Sequence, residues 1–281
     1  MSEATTLRVA MAQMKTEWGE PDRNLAHAAE MTAGGAALRC SVVVLPECMD
    51  VGWTHPRAAE LARPIPGERS EALAEAAWKH GVWVVSGLTE RAGDLTYNAA
   101  VLISPQREIV LKHRKINILK VAQPSYAIGD RLGVAHTALG TIGVNICADN
   151  FGNSLVFAHS LARMGARIIL SPSAWAVDAD HDNEKDPYGK GWRESYKTIA
   201  AMYGIPMVGV SNVGPIPEGP WAGRKCIGCS LAVGRDGEIA AEGPYGEDAE
   251  AVIPVDLQVT PGEVKGTEIA KWLNDRGYQV R

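Results

Sequence analysis

One unit of apolar and polar positions recurs along the chain: a helical stretch, a glycine or alanine break, a β-branched run, then a polar residue. It appears as NLAHAAEMTAGGAALRCSVVVLPE, EALAEAAWKHGVWVVSGLTE, LVFAHSLARMGARIILSPS and YKTIAAMYGIPMVGVSN. The helical parts carry apolar residues at three- and four-residue spacing. Glycine stands where several of them stop, because it enters the left-handed conformation of a helix terminus without steric cost. The strand parts are continuous apolar runs, which implies burial on both faces. Two more stretches read as hairpins, TYNAAVLISPQREIVLKHRK around Ser-Pro-Gln-Arg and CSLAVGRDGEIAAEG around Arg-Asp-Gly. The pattern predicts a mixed α/β fold whose sheets are covered by helices, in a single domain spanning residues 1–281.

Two segments break the pattern. Residues 175–192, WAVDADHDNEKDPYGKGW, are acidic and aperiodic, and residues 213–225, VGPIPEGPWAGRK, are rich in Pro and Gly. Long loops inside a compact domain are often functional, and a solvated surface excursion is the competing reading. The tail, about residues 260–281, includes the amphipathic piece GTEIAKWLNDRGY and is expected to pack on a neighbouring surface or subunit.

Composition narrows the class. The chain has 281 residues, 46% hydrophobic and 22% charged, as in an ordinary soluble globular protein. Its net charge of -5 gives no basic footprint for nucleic acid. No apolar stretch reaches membrane-spanning length. The start, MSEATTLRVAMAQ, lacks the charged and apolar regions of a secretory signal. Five scattered cysteines, Cys40, Cys48, Cys147, Cys226 and Cys229, argue against a disulfide framework, so a cytoplasmic, reducing compartment is expected. Cys226-x-x-Cys229 has the spacing of a redox pair or half a zinc site, but no second ligand pair stands at suitable spacing.

The polar residues at strand ends are the places to look for chemistry. SVVVLPECMD delivers Glu47, REIVLKHRKINIL delivers Lys112, His113, Arg114 and Lys115, and TIGVNICADN delivers Cys147. A carboxylate can take a thiol's proton and return it to a leaving amine. An ammonium can stabilise the oxyanion of a tetrahedral intermediate. The turn after Cys147 is expected to open a helix near Asn153 or Ser154, with the Ala148 N–H as a further oxyanion donor. Taken singly, each residue also has an ordinary reading: a packed core cysteine, a solvated glutamate, a surface lysine.

VVVLPE, LKHRKINI and GVNICADNFGNSLVFAHSLARMGARIILSPSAW resemble, in this order, the three signature blocks of the nitrilase superfamily, the carbon–nitrogen hydrolases. The resemblance runs from RVAMAQ to AVIPVDL, almost the whole chain. It implies a four-layer α-β-β-α sandwich, usually assembled as a homodimer or higher homo-oligomer. It implies Glu47 as general base, Lys115 as oxyanion stabiliser and Cys147 as nucleophile. The reaction it implies is cleavage of a small amide or N-carbamoyl compound through a thioester, with no metal or organic cofactor.

Some positions depart from the family pattern. Many members carry a second glutamate where QPSYAIGD has Gln123, and Tyr or Trp where Ala148 stands. Asp149 follows, as in many members. Trp53 and Trp175 are candidate pocket walls, and the acidic loop with Asp178, Asp180, Asp182 and Glu184 could favour a cationic substrate. The alternatives are a nitrilase, which more often carries Trp-Glu after the cysteine, and a non-catalytic binding or assembly subunit, which Gln123 alone favours. A Ser–Lys amidase finds no matching segment, since GCSLA is not a nucleophile elbow.

Overall fold

A computed structural model describes residues 5–260 and Gly277. The first large sheet contains β1 (Thr5–Gln13), β2 (Val42–Val44), β3 (Trp83–Ala92), β4 (Leu95–Ile103), β5 (Ile109–Arg114) and β15 (Ala251–Val259), in the order β15-β1-β2-β3-β4-β5. The second contains β6 (Val134–Thr137), β7 (Gly140–Val144), β8 (Ile168–Ser173), β10 (Met207–Ser211), β13 (Leu231–Val233) and β14 (Ile239–Glu242), in the order β14-β13-β10-β8-β7-β6. Both expected hairpins are present, β4–β5 and β13–β14.

Successive side chains of a strand point to opposite faces, and this divides the first sheet between two cores. Val9, Met11, Val42, Val44, Ala100 and Leu102 join the core shared with the second sheet. Ala10, Ala12, Val43, Val84, Val101 and Ile103 instead pack with α1 (Pro21–Ala37) and α3 (Glu68–His80), through Ala28, Met31, Leu73 and Ala77. On the far side, α4 (Val156–Arg163) and α5 (Lys190–Tyr203) cover the second sheet with Leu161, Ala162, Ile199 and Ala200. A short α2 (Ala58–Leu61) lies in the connection before α3. The result is the expected α-β-β-α sandwich.

Glycine explains where the helices stop and where one does not. Gly81 and Gly204 end α3 and α5 in the left-handed conformation. Gly34 and Gly35 do not break α1, which continues to Ala37. A Cβ on Gly35 would stand 2.7 Å from Val43 Cγ2 and 2.9 Å from Ala10 Cβ, so glycine here lets the helix seat closely on the sheet.

The two irregular segments contain more structure than their sequences suggest. β9 (Ala176–Val177), β11 (Val213–Pro215) and β12 (Lys225–Ile227) form a third sheet in the order β11-β12-β9, and α5 begins inside the first segment. Strands of two and three residues are too short to show alternation, and β9 finds its partner β12 far along the chain. The tail expected to pack on a neighbour lies outside the described residues, except for Gly277. No helix among the described residues is long and apolar enough to cross a membrane.

Candidate active site

Strand direction brings the polar strand ends together. β2 runs parallel to β3, and two antiparallel steps through β4 return β5 to the same direction. Glu47 and Lys115 therefore leave the first sheet at one end. In the second sheet β7 is parallel to β8, so Cys147 and Ala174 also leave together. The Glu47 N–H donates to the Ser173 carbonyl at 3.1 Å, joining the two sheet ends. Gly87 of β3 makes room for this turn: a Cβ there would stand 2.5 Å from Glu47 Cα.

Glu47 and Lys115 form a buried ion pair, with Lys115 Nζ donating to Glu47 Oε1 at 2.6 Å. Burial pulls Lys115 towards the neutral form, but the negative charge of Glu47 and the hydrogen bond to it outweigh that and hold the ammonium above its ordinary range. Asn98 of β4 touches both partners. Its Nδ2 donates to the same Oε1 at 2.5 Å, and its backbone carbonyl accepts the Lys115 N–H at 2.8 Å.

Cys147 sits at the start of a 3-10 turn, Cys147–Asn150, with φ at 42°. Left-handed backbone is costly for a non-glycine residue and marks sites where a side chain is held out of a regular element. The Cys147 N–H donates to Ser171 Oγ at 3.1 Å, and the Ala174 N–H points at the thiol. Burial and then the Glu47 charge push the thiol up to about 12, against the opposing pull of Lys115 and the Ala174 N–H. At neutral pH this cysteine is therefore a thiol, not a thiolate.

Asp149 ties the two turns together. Its carboxylate accepts the Asn117 N–H at 2.8 Å and the Ile116 N–H at 3.2 Å, just after Lys115, and the Ile146 N–H at 3.0 Å, just before Cys147. His113 Nε2 lies 2.8 Å from Asp149 Oδ2. Burial opposes the carboxylate's charge, but His113 and the Asn117 N–H overcome it and hold Asp149 below its ordinary range.

The remaining sequence-derived candidates are spread around this centre. Ala148 is buried and its carbonyl accepts Asn117 Nδ2 at 2.7 Å. Trp53 belongs to a small apolar cluster with Ala174, and its ring lies 4.5 Å from that of Trp221. Trp175 is 2% exposed in the main core and stacks on Trp192 at 5.1 Å. Gln123 is exposed at the end of a 3-10 turn, Lys120–Ala122. Asp178, Asp180, Asp182 and Glu184 are exposed, and Asp178 pairs with Arg224 at 2.9 Å.

The helix after Cys147 starts later than its sequence suggests, at Val156, with no side-chain cap. Ser154 Oγ instead accepts Asn117 Nδ2 at 2.7 Å. Cys226 and Cys229 are free thiols, and among the described residues no group of three His, Cys, Asp or Glu is placed to hold a metal ion. Sequence reading missed Asn98 and the Ala174 N–H. A lone amide inside the apolar run TYNAAVLI was a usable signal for the first; a backbone donor leaves none.

Comparison with known proteins identifies the family. The family model described as carbon-nitrogen hydrolase matches residues 8–264. A nitrilase of Pyrococcus abyssi is 35% identical over 173 residues, 59% of this chain and 64% of that protein. Omega-amidase NIT2 of Danio rerio is 29% identical over 178 residues, 60% of this chain and 63% of that protein. Both matches thus span less than two thirds of the relative's length. The crystal structure of a carbon-nitrogen hydrolase from Helicobacter pylori G27 superposes with a TM-score of 0.80 at 23% identity, covering 96% of this chain and 93% of that one, and shows a shared fold. With the family match spanning nearly all of its residues, the chain belongs to the carbon-nitrogen hydrolases.

Proposed function

We propose that the protein hydrolyses a small amide or N-carbamoyl substrate through a thioester on Cys147, with Glu47 as general base and Lys115 as oxyanion stabiliser. The observation that carries this reading is the buried Glu47–Lys115 pair at 2.6 Å beside a buried thiol on a left-handed turn. Glu47 takes the thiol proton as sulfur attacks the carbonyl carbon. The electron pair of the C=O bond moves to oxygen, where Lys115 and the Ala148 N–H offset the new charge. As the intermediate collapses, the C–N bond breaks and the nitrogen leaves with the proton from Glu47. Water then gives its proton to Glu47 and attacks the thioester, and the sulfur leaves and recovers that proton.

Ala148 and Asp149 after the nucleophile, in place of Trp-Glu, favour amides over nitriles, and the omega-amidase relative points the same way. Trp53 and Trp221 are the side chains we assign to substrate selection, because their cluster includes Ala174, whose N–H faces the thiol. A homodimer belongs to the same reading; Val156 of α4 and Met202 of α5 expose apolar surface on the outer layer.

The test is ammonia release from a panel of primary amides, N-carbamoyl compounds and nitriles, with Cys147→Ala run beside the wild type. Release by the wild type alone, best with an amide or carbamoyl compound, is expected. A nitrile as the best substrate would replace this reading with nitrilase chemistry, and turnover by Cys147→Ala would remove the thiol.

A further inference from the structure

The two oxygens of Glu47 are not equivalent. Oε1 accepts from Lys115 Nζ at 2.6 Å and from Asn98 Nδ2 at 2.5 Å, while Oε2 is buried without a conventional hydrogen bond. Asn98 lies in β4, followed by the buried run Ala99, Ala100, Val101 and Leu102. A buried amide in such a strand carries a desolvation cost that apolar residues avoid. Its Oδ1 is also buried and unpartnered, so stability alone does not account for asparagine here. The amide's orientation is fixed by chemistry, because an ionised carboxylate only accepts and Nδ2 must face it.

We infer that Asn98 is a positioning residue for the general base, holding Oε1 together with Lys115 and so reserving Oε2 for the Cys147 proton. This rests on the proposed roles of Glu47, Lys115 and Cys147. Two donors draw negative charge towards Oε1 and lock the carboxylate's rotation, leaving Oε2 as the more basic oxygen. The thiol proton passes from Sγ to Oε2 as the S–C bond forms. It passes from Oε2 to the leaving nitrogen as the C–N bond breaks, so the carboxylate is restored. Because the Asn98 carbonyl also accepts the Lys115 N–H at 2.8 Å, one residue sets the register of base and ammonium together.

The test compares Asn98→Ala and Asn98→Ser with the wild type and Cys147→Ala, on the best substrate of the ammonia-release panel. Circular dichroism and thermal unfolding check the fold. We expect Asn98→Ala to lower kcat about 100-fold, within the range for general-base catalysis, with KM little changed. The acid limb of its kcat/KM profile moves to higher pH, because the charged carboxylate has lost a donor. Asn98→Ser, which keeps a hydroxyl donor, recovers part of both effects. The other groups acting on Glu47 or affected by it (Lys115, Cys147, Cys48, Tyr126 and Cys226) are the same in all of these proteins except Cys147→Ala, so the shift reports the amide.

A wild-type kcat and acid limb in folded Asn98→Ala would overturn the inference, and so would a lower kcat with an unmoved limb. If Asn98→Ala does not fold, the near-isosteric Asn98→Leu, which has no donor for Oε1, takes its place, and a wild-type kcat with an unmoved limb in it overturns the inference. Turnover by Cys147→Ala would instead remove the underlying thiol reading, so the two failures are distinguishable.

Discussion

At the residue scale the central fact is a neutral thiol beside a charged pair. Burial and the Glu47 charge hold Cys147 up near 12, so little thiolate is present at neutral pH. The difference in absorbance at 240 nm between wild type and Cys147→Ala is therefore expected to stay small at pH 8 and to grow only in strongly alkaline buffer. A thiolate signal already full at pH 7 would contradict this electrostatic account. Asp149 supplies a second prediction. Its folded form is held below the ordinary carboxylate range, so near pH 4 the unfolded chain binds more protons than the native one. The stability it contributes is present above that range and is lost as pH falls through its lowered value. Asp149→Asn should flatten this part of the acid denaturation curve, and an unchanged curve would show that Asp149 does not govern it. Much of this centre was legible in sequence. Glu47, Lys115 and Cys147 each follow an apolar run, and topology makes those runs end together. Asn98 and Ala174 were not, because one is a polar residue inside a strand and the other acts through its backbone.

At the element scale, close approach of backbones fixes the site. Gly87 is the clearest case, since any side chain there meets the backbone of Glu47. The turn it admits is further fixed by Asp50, whose Oδ2 accepts from Arg69 Nη1 at 2.5 Å and whose carboxylate also takes the Thr89 N–H. Gly87→Ala is expected to cost about 1–3 kcal/mol, the usual range for overpacking, and to lower turnover about 100-fold by displacing Glu47, the proposed base. Denaturant unfolding and steady-state rates measure both; wild-type turnover in this variant would show that the Glu47 turn can yield. The helices and long strands were readable because each spans several periods of its pattern. The small β9–β11–β12 sheet was not, because a two- or three-residue strand has no measurable period and acquires its identity only from its partner. The same limit placed a helix start near Asn153, where side-chain bonding to Asn117 holds two short turns before α4 begins.

At the scale of the whole molecule, the chain closes on itself. β15 pairs antiparallel with β1 from Thr5↔Val259 to Gln13↔Ala251, so the two ends of the described chain share one sheet. The core between the sheets draws on β1, β8, β10 and β15 alike. We propose from this pairing that the described residues fold as one domain, and calorimetry is expected to show one unfolding transition; two resolved transitions would divide it. Across this closed frame the first sheet supplies Glu47 and Lys115 and the second supplies Cys147, so the proposed chemistry needs both sheets in place. The most direct test of that chemistry is intact-mass spectrometry of protein acid-quenched during turnover of the best amide. The account predicts a mass increase equal to the acyl group, placed on Cys147 by peptide mapping and absent in Cys147→Ala. A covalent acyl group on another residue, or turnover by Cys147→Ala with no adduct on either protein, would contradict it.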